Sequence, residues 1–295
     1  MPEIDDSDFG FSNDFLVEKA EGATDSLDIL VATDSLLPEE SLGEGDILVS
    51  EDLFETEAAE EAFSDGLVGE GEETGSFSRL QDMLQKVKDD PTAEKAVLYR
   101  DYVAEEGEPW LVIPEGMTTI DLNGHTISRD LKTATSQGAV IFVPSGSELT
   151  LIDSVGGGKV TGGNSSEPGG GILNEGTLTL GNSGQGPTIS GNKGTDGGGI
   201  MNRGRLFLDD ALLTDNTASE NGGGLYLADS AEVHGGALND NVAIGSGGGI
   251  YVGNGATLTL TGGTVTENTA ESLGGGILVN AAEKSFLVEG NPVVI

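Results

Sequence analysis

The chain has 295 residues, of which 48 are Gly, 5% are aromatic and none is Cys. Disulfides and thiolate metal sites are therefore excluded, and so much Gly suits tight turns and narrow interiors better than a conventional two-layer core. A formal charge of −38 argues against nucleic acid and anionic lipid surfaces as partners, and against acidic sugars unless a bound cation reverses the local field.

Residues 1–75 contain 24 Asp and Glu against Lys19 alone. Short apolar clusters (Phe9–Phe15, Ile29–Val31, Ile47–Val49) alternate with acidic runs, and no helical or strand period persists. Charge this dense with little apolar surface cannot offset the entropy of ordering, which predicts a disordered acidic leader over 1–75. No run of about 20 apolar residues occurs, so no membrane-spanning segment is expected. The opening Met1-Pro2-Glu3-Ile4-Asp5-Asp6 has neither the basic nor the apolar part of an export signal.

From Ser76 the pattern changes, and a second region spans 76–295. Phe77, Leu80, Met83, Leu84 and Val87 fall at helical spacing, with Ser76 or Ser78 as N-cap and Asp89-Asp90-Pro91 as the stop, predicting a short capping helix at about 77–88. Strand-like runs follow at Ala96–Val103, Trp110–Ile113 and Thr118–Leu122, closed by an Asn123-Gly124 turn.

A repeat then takes over. Gly169-Gly170-Gly171-Ile172 returns as Gly197-Gly198-Gly199-Ile200, Gly222-Gly223-Gly224-Leu225, Gly247-Gly248-Gly249-Ile250 and Gly274-Gly275-Gly276-Ile277, at intervals of 28, 25, 25 and 27 residues. An aliphatic residue three before an Asn keeps the same phase, ending at Asn192, Asn216, Asn241 and Asn268. Alternating strands such as Leu178-Thr179-Leu180, Leu206-Phe207-Leu208 and Leu258-Thr259-Leu260 lie between.

Strands this short do not hold a hairpin together. Three per repeat can instead wind so that each lies parallel to its counterpart one turn on, with about 4.8 Å between rungs. The predicted fold is all-β, a right-handed single-stranded parallel β-helix of about seven rungs. Ile200, Leu225, Ile250 and Ile277 stack inside it, and alternate Thr, Ser and Asp face water. Gly triplets fill one corner. The Asn residues fill another, taking the left-handed conformation and forming a structural ladder from rung to rung.

These elements resemble the polymorphic outer-membrane protein repeats, marked by GGA-aliphatic and FxxN motifs. The chain departs from them in using Gly-Gly-Gly and in placing Ile, Leu or Val where they have Phe. Trp110–Ser128, with Asp121-Leu122-Asn123-Gly124-His125-Thr126-Ile127, is similar to the first rung of adhesin-like bacterial surface proteins, which an amphipathic helix precedes. The resemblance covers roughly 76–295. It implies a pectin-lyase-like β-helix, export to the extracellular space or cell surface, and a part in adhesion or display, with an export signal upstream. The β-like run Asn291–Ile295 without a polar cap implies further rungs or an anchor downstream.

The fold also hosts polysaccharide lyases and hydrolases, and fold alone decides nothing. The bases among the repeats, Lys159, Lys193, Arg203, Arg205 and Lys284, share no phase. Asp209-Asp210 imitates one hydrolase motif, but no Gly-His-Gly accompanies it, and His125 and His234 lie more than a hundred residues apart. No catalytic residue and no resident cofactor is expected. Asp215, Asp240 and Glu267 precede the ladder Asn on successive rungs, and such a row of carboxylates could recruit Ca²⁺; the alternative is a solvated acidic stripe interrupted by Gly191. The expected function is a non-catalytic adhesin-like scaffold whose partner is a host or matrix protein or a glycan. A polysaccharide-active enzyme and a purely structural spacer are the alternatives.

Overall fold

The computed structural model describes residues 74–280 and 285–295. Nearly all of the predicted leader, and Lys284, lie outside the described residues. Thr74–Gly75 already pair with Asp101–Tyr102, so ordered pairing starts just ahead of the expected helix.

The helix, α1, runs Phe77–Asp89. Ser76 is its N-cap, its Oγ accepting a hydrogen bond from the Arg79 amide at 3.3 Å; the Glu108 carboxylate accepts two more from the Phe77 (3.0 Å) and Ser78 (2.8 Å) amides. Together they satisfy N–H groups that the first helical turn leaves without partners. All five residues of the apolar stripe, Phe77 to Val87, are buried. Gln81 ties the helix to the coil by donating to Val112 O (2.8 Å) and accepting from Val112 N (2.9 Å).

Beyond α1 the chain is a parallel β-solenoid. Its strands stack into a nine-, an eight- and a seven-stranded sheet, and among the described residues the strands pair in parallel, as in Ile172↔Ile200 and Ile200↔Leu225. Crossovers between parallel strands coil right-handed, which gives the expected β-helix. Ile172, Ile200, Leu225 and Ile250 are fully buried in one internal column, and Ile189, Leu213, Leu238 and Val265 in another. Each such side chain contributes about 1.5–3 kcal/mol by leaving water, and no single rung could shield it alone.

Three details differ from expectation. A fourth, two-residue strand joins each of four rungs (Lys193–Gly194, Thr217–Ala218, Val242–Ala243, Thr269–Ala270), forming a four-stranded ladder of its own. Second, the ladder Asn residues are not the left-handed ones. The residue before each is: Gly191 (φ +67°), Asp215 (+55°), Asp240 (+55°) and Glu267 (+58°). The chain must turn one residue early so that the Asn side chain can point inward. Third, the outward positions of the seven-stranded sheet are apolar. Phe142, Leu173, Met201, Tyr226 and Tyr251 form one outer column, and the rings of Tyr226 and Tyr251 stack at 4.9 Å. At rung spacing these side chains shield one another, so alternation with polar residues is not required there.

The glycines of a triplet serve three different purposes, as Gly222–Gly224 illustrates. Gly222 sits at φ +68°, a region that L side chains rarely adopt. A Cβ on Gly223 would lie 2.5 Å from Val242 O and also press on Gly248 O, while one on Gly224 would lie 2.8 Å from Gly249 O and 3.0 Å from Asn241 Nδ2. The third glycine is thus the floor on which the ladder amide rests.

Near the first rungs, buried Asp121 (1% exposed) accepts from Lys95 Nζ at 2.7 Å and from the Asn123 and Ser154 amides at 3.0 Å. Burial opposes its ionisation, but these bonds outweigh it and hold the carboxyl below the usual carboxylate range.

Candidate functional site

The Asn ladder is continuous. Asn192 Nδ2 donates to Asn216 Oδ1 (3.1 Å), Asn216 Nδ2 to Asn241 Oδ1 (3.0 Å) and Asn241 Nδ2 to Asn268 Oδ1 (2.9 Å). Each acceptor oxygen also takes the backbone N–H of the Asn one rung earlier. Each amide reaches a rung carbonyl too, as Asn216 does with Ile189 O at 2.8 Å. Asn192, Asn216 and Asn241 are fully buried, so this ladder organises the core and offers nothing to a ligand.

Asp215, Asp240 and Glu267 are brought onto one exposed corner, one per rung. Their carboxylates turn to local partners: Asp240 Oδ2 accepts from Asn239 Nδ2 at 2.7 Å, and Asp215 Oδ2 from Thr214 Oγ1 at 3.4 Å. Among the described residues no group of three His, Cys, Asp or Glu side chains is arranged to hold a metal ion.

The histidines have partners that the sequence did not reveal. His234 Nδ1 lies 2.7 Å from Asp209 Oδ1 and Nε2 3.4 Å from Glu232 Oε2, so the imidazole sits between carboxylates of adjacent rungs. The hydrogen bond to Asp209 raises the His234 pKa, partial burial opposes the rise, and Glu232 adds to it. A raised folded-state pKa means that the stabilisation is complete below about 6.5, the unfolded value, and disappears as pH rises through the folded one. Solvent access keeps the effect near the surface-pair range of about 0.2–1 kcal/mol. His234→Gln is therefore expected to melt below the parent at about pH 6 and level with it by about pH 9; a gap that did not change with pH would contradict this assignment. His125 Nδ1 lies 3.4 Å from Asp101 Oδ1. Asp210 accepts from Gly184 N at 2.6 Å, Arg203 pairs with Glu175 at 3.3 Å, and the Arg205 guanidinium lies 5.3 Å from the centre of the Phe207 ring.

Two long loops, 104–110 and 129–140, flank a groove of about 710 Å³. Arg129, 7% exposed, joins them by donating to Glu108 O (2.7 Å), Ala139 O (3.0 Å) and Gln137 O.

The outer face of the nine-stranded sheet has a different character. Ser128, Thr161, Ser190, Thr214, Asn239 and Thr266 align in register over six rungs, all half-exposed. The parallel column beside them, Thr126 to Thr264, carries one charge, Lys159. Among the described residues the hydroxyls of Thr161, Ser190 and Thr266 hydrogen-bond to no other protein group. Successive rungs are about 4.8 Å apart and the two columns about 6.6 Å apart, so the face is a regular lattice of donors and acceptors bordered by the acidic corner of Asp215, Asp240 and Glu267.

Sequence reasoning missed a second buried ladder, in which Asn174 Nδ2 donates to Asn202 Oδ1 at 2.6 Å. Its signal is an Asn two residues after the aliphatic that closes a Gly triplet, present in two repeats and replaced by Leu227 and Val252 afterwards. No helix among the described residues is long and apolar enough to cross a membrane. A family model described as periplasmic copper-binding protein (NosD) matches residues 131–294. No curated protein and no solved structure gives a match.

Proposed function

Because the chain belongs to the NosD family, described as periplasmic copper-binding proteins, we propose that it works in the cell envelope as a non-catalytic β-helical scaffold for adhesion or surface display. The observation that carries this reading is the hydroxyl-rich face of the nine-stranded sheet. Six rungs present one polar side chain each in register, the hydroxyls of Thr161, Ser190 and Thr266 without a protein partner among the described residues, and the acidic corner alongside disfavours an anionic ligand but not a neutral one. An extended neutral glycan laid along the axis would meet one polar side chain per rung. The adhesin-like role implied by the resemblance to polymorphic outer-membrane repeats belongs to this proposal; the family that matches is NosD.

Binding to cellulose, chitin, dextran and immobilised matrix proteins tests the reading. A Ser190→Glu, Thr214→Glu double variant is expected to lose at least about tenfold in affinity, equivalent to about 1.4 kcal/mol. Thr179→Glu, on the eight-stranded sheet, is expected to bind as the parent does. Silence of the parent chain on every surface would overturn the adhesion reading.

A second reading, a polysaccharide-active enzyme, rests on His234 between two carboxylates, an arrangement able to exchange protons. New reducing ends or unsaturated products from polyuronates, lost in His234→Ala, would favour it.

A further inference from the structure

We infer that this chain holds no copper at a site of its own, although its family's description names that metal. Copper sites are assembled from imidazole, thiolate and thioether donors, with carboxylates as supplements, converging in trigonal or tetragonal geometry. The sequence has no Cys, two His and four Met, and the fold keeps the soft donors apart. His125 and His234 both lie in turns leading into the nine-stranded sheet. The strands they precede, Thr126–Ser128 and Ala237–Asn239, are separated by three others, about 19 Å at rung spacing. No single ion spans that gap.

Methionine does not make up the deficit. Met83 (6% exposed) is packed into the stripe of α1, and Met201 (5%) into the outer column between Leu173 and Tyr226. Met117 is 76% exposed, with Glu148 beside it on the next rung; Met1 lies outside the described residues.

His234 is the strongest remaining donor, and its surroundings suit a proton better than a metal. Asp209 takes Nδ1 and Glu232 faces Nε2. The two carboxylates therefore lie at opposite edges of the ring and cannot converge with it on one ion. At most one ring nitrogen and one carboxylate could face a metal together. Two acids around one imidazole raise its affinity for a proton, which competes with a metal for the same ring nitrogens. The structure assigns His234 instead to an ion cluster linking adjacent rungs, and this assignment stands whether or not the adhesion reading does.

Equilibrium dialysis of the full chain against Cu(II), and separately against Cu(I) under reducing conditions, tests the inference when combined with metal analysis and electron paramagnetic resonance. The expected result is well under one copper per chain after exchange into buffer containing free histidine, without nitrogen splitting in the Cu(II) spectrum. Copper bound through carboxylates alone and washed off by salt also supports the inference, since scattered surface acids are not a site. One copper per chain that survives the exchange would overturn it. Nitrogen splitting that vanishes in His234→Ala would locate the error at His234, and its loss in His125→Ala would locate it at that turn.

Discussion

Replacing Asn216 by Ala is expected to destabilise the folded chain by about 3–5 kcal/mol, the largest effect of any single polar substitution in the coil. The side chain is fully buried and occupies the middle of the ladder. Its removal strands the Asn192 backbone N–H, which donates to Asn216 Oδ1 at 3.1 Å, and takes the Asn216 donor from the Ile189 carbonyl (2.8 Å) and from Asn241 Oδ1 (3.0 Å). Each buried group left without a partner costs about 1–3 kcal/mol, and the space is too small and too enclosed for water to replace them all. Asn216→Asp is expected to be no better, because it keeps the acceptors, loses the donor and buries a charge. Urea melts of the three proteins measure this, and a loss below about 1 kcal/mol for Asn216→Ala would show that the ladder is not a principal source of stability.

The second large effect is expected at Gly223. Gly223→Ala directs a methyl into Val242 O at 2.5 Å and into the Gly248 carbonyl, and neither is the movable end of a side chain. Both rungs would have to separate, which places the cost at about 3 kcal/mol, the upper end for overpacking. Gly255→Ala supplies the comparison: its φ is +86° but nothing lies within 4 Å of the added Cβ, so only backbone strain of about 1–2 kcal/mol is incurred. If the two variants melted at the same temperature, the close approach of rungs at the triplet would be refuted as the reason for its middle glycine.

Much of this fold could be read before any coordinates. Repeated Gly-Gly-Gly-aliphatic and aliphatic-x-x-Asn elements at intervals of 25 to 28 residues imply stacked rungs, and the residues expected to stack, Ile200, Leu225, Ile250 and Ile277, do so in register, the first three fully buried and Ile277 half-buried. The helix and its Ser76 cap were legible because N-capping and the 3.6-residue period are local. What could not be read depends on contacts between turns. Asp209 and His234 are 25 residues apart, and only the length of one coil brings them to 2.7 Å. The left-handed residue at the Asn corner looked like the Asn because Asn tolerates that conformation, but the inward hydrogen bonds claim the Asn, so Asp215 and Asp240 take the strain. The outer column of Leu173, Met201 and Tyr226 reads in isolation as a run of buried strand, since sequence does not reveal that neighbours one turn away cover it. The hydroxyl column needed the register itself, because Ser190 and Thr214 become neighbours only when their strands are paired.

The resting place of the ladder amide on the third glycine has a consequence for how such a chain can change length. At this corner each coil offers the next the same glycine and asparagine that it meets on the one before, so the stack has approximate translational rather than point symmetry. A whole coil carries its own glycine floor and its own asparagine, and extra residues in a turn alter neither. Size is therefore close to a free variable in this architecture: a segment copied or removed in units of one coil preserves the glycine floor and the asparagine ladder, while a cut that separates an asparagine from its floor breaks both.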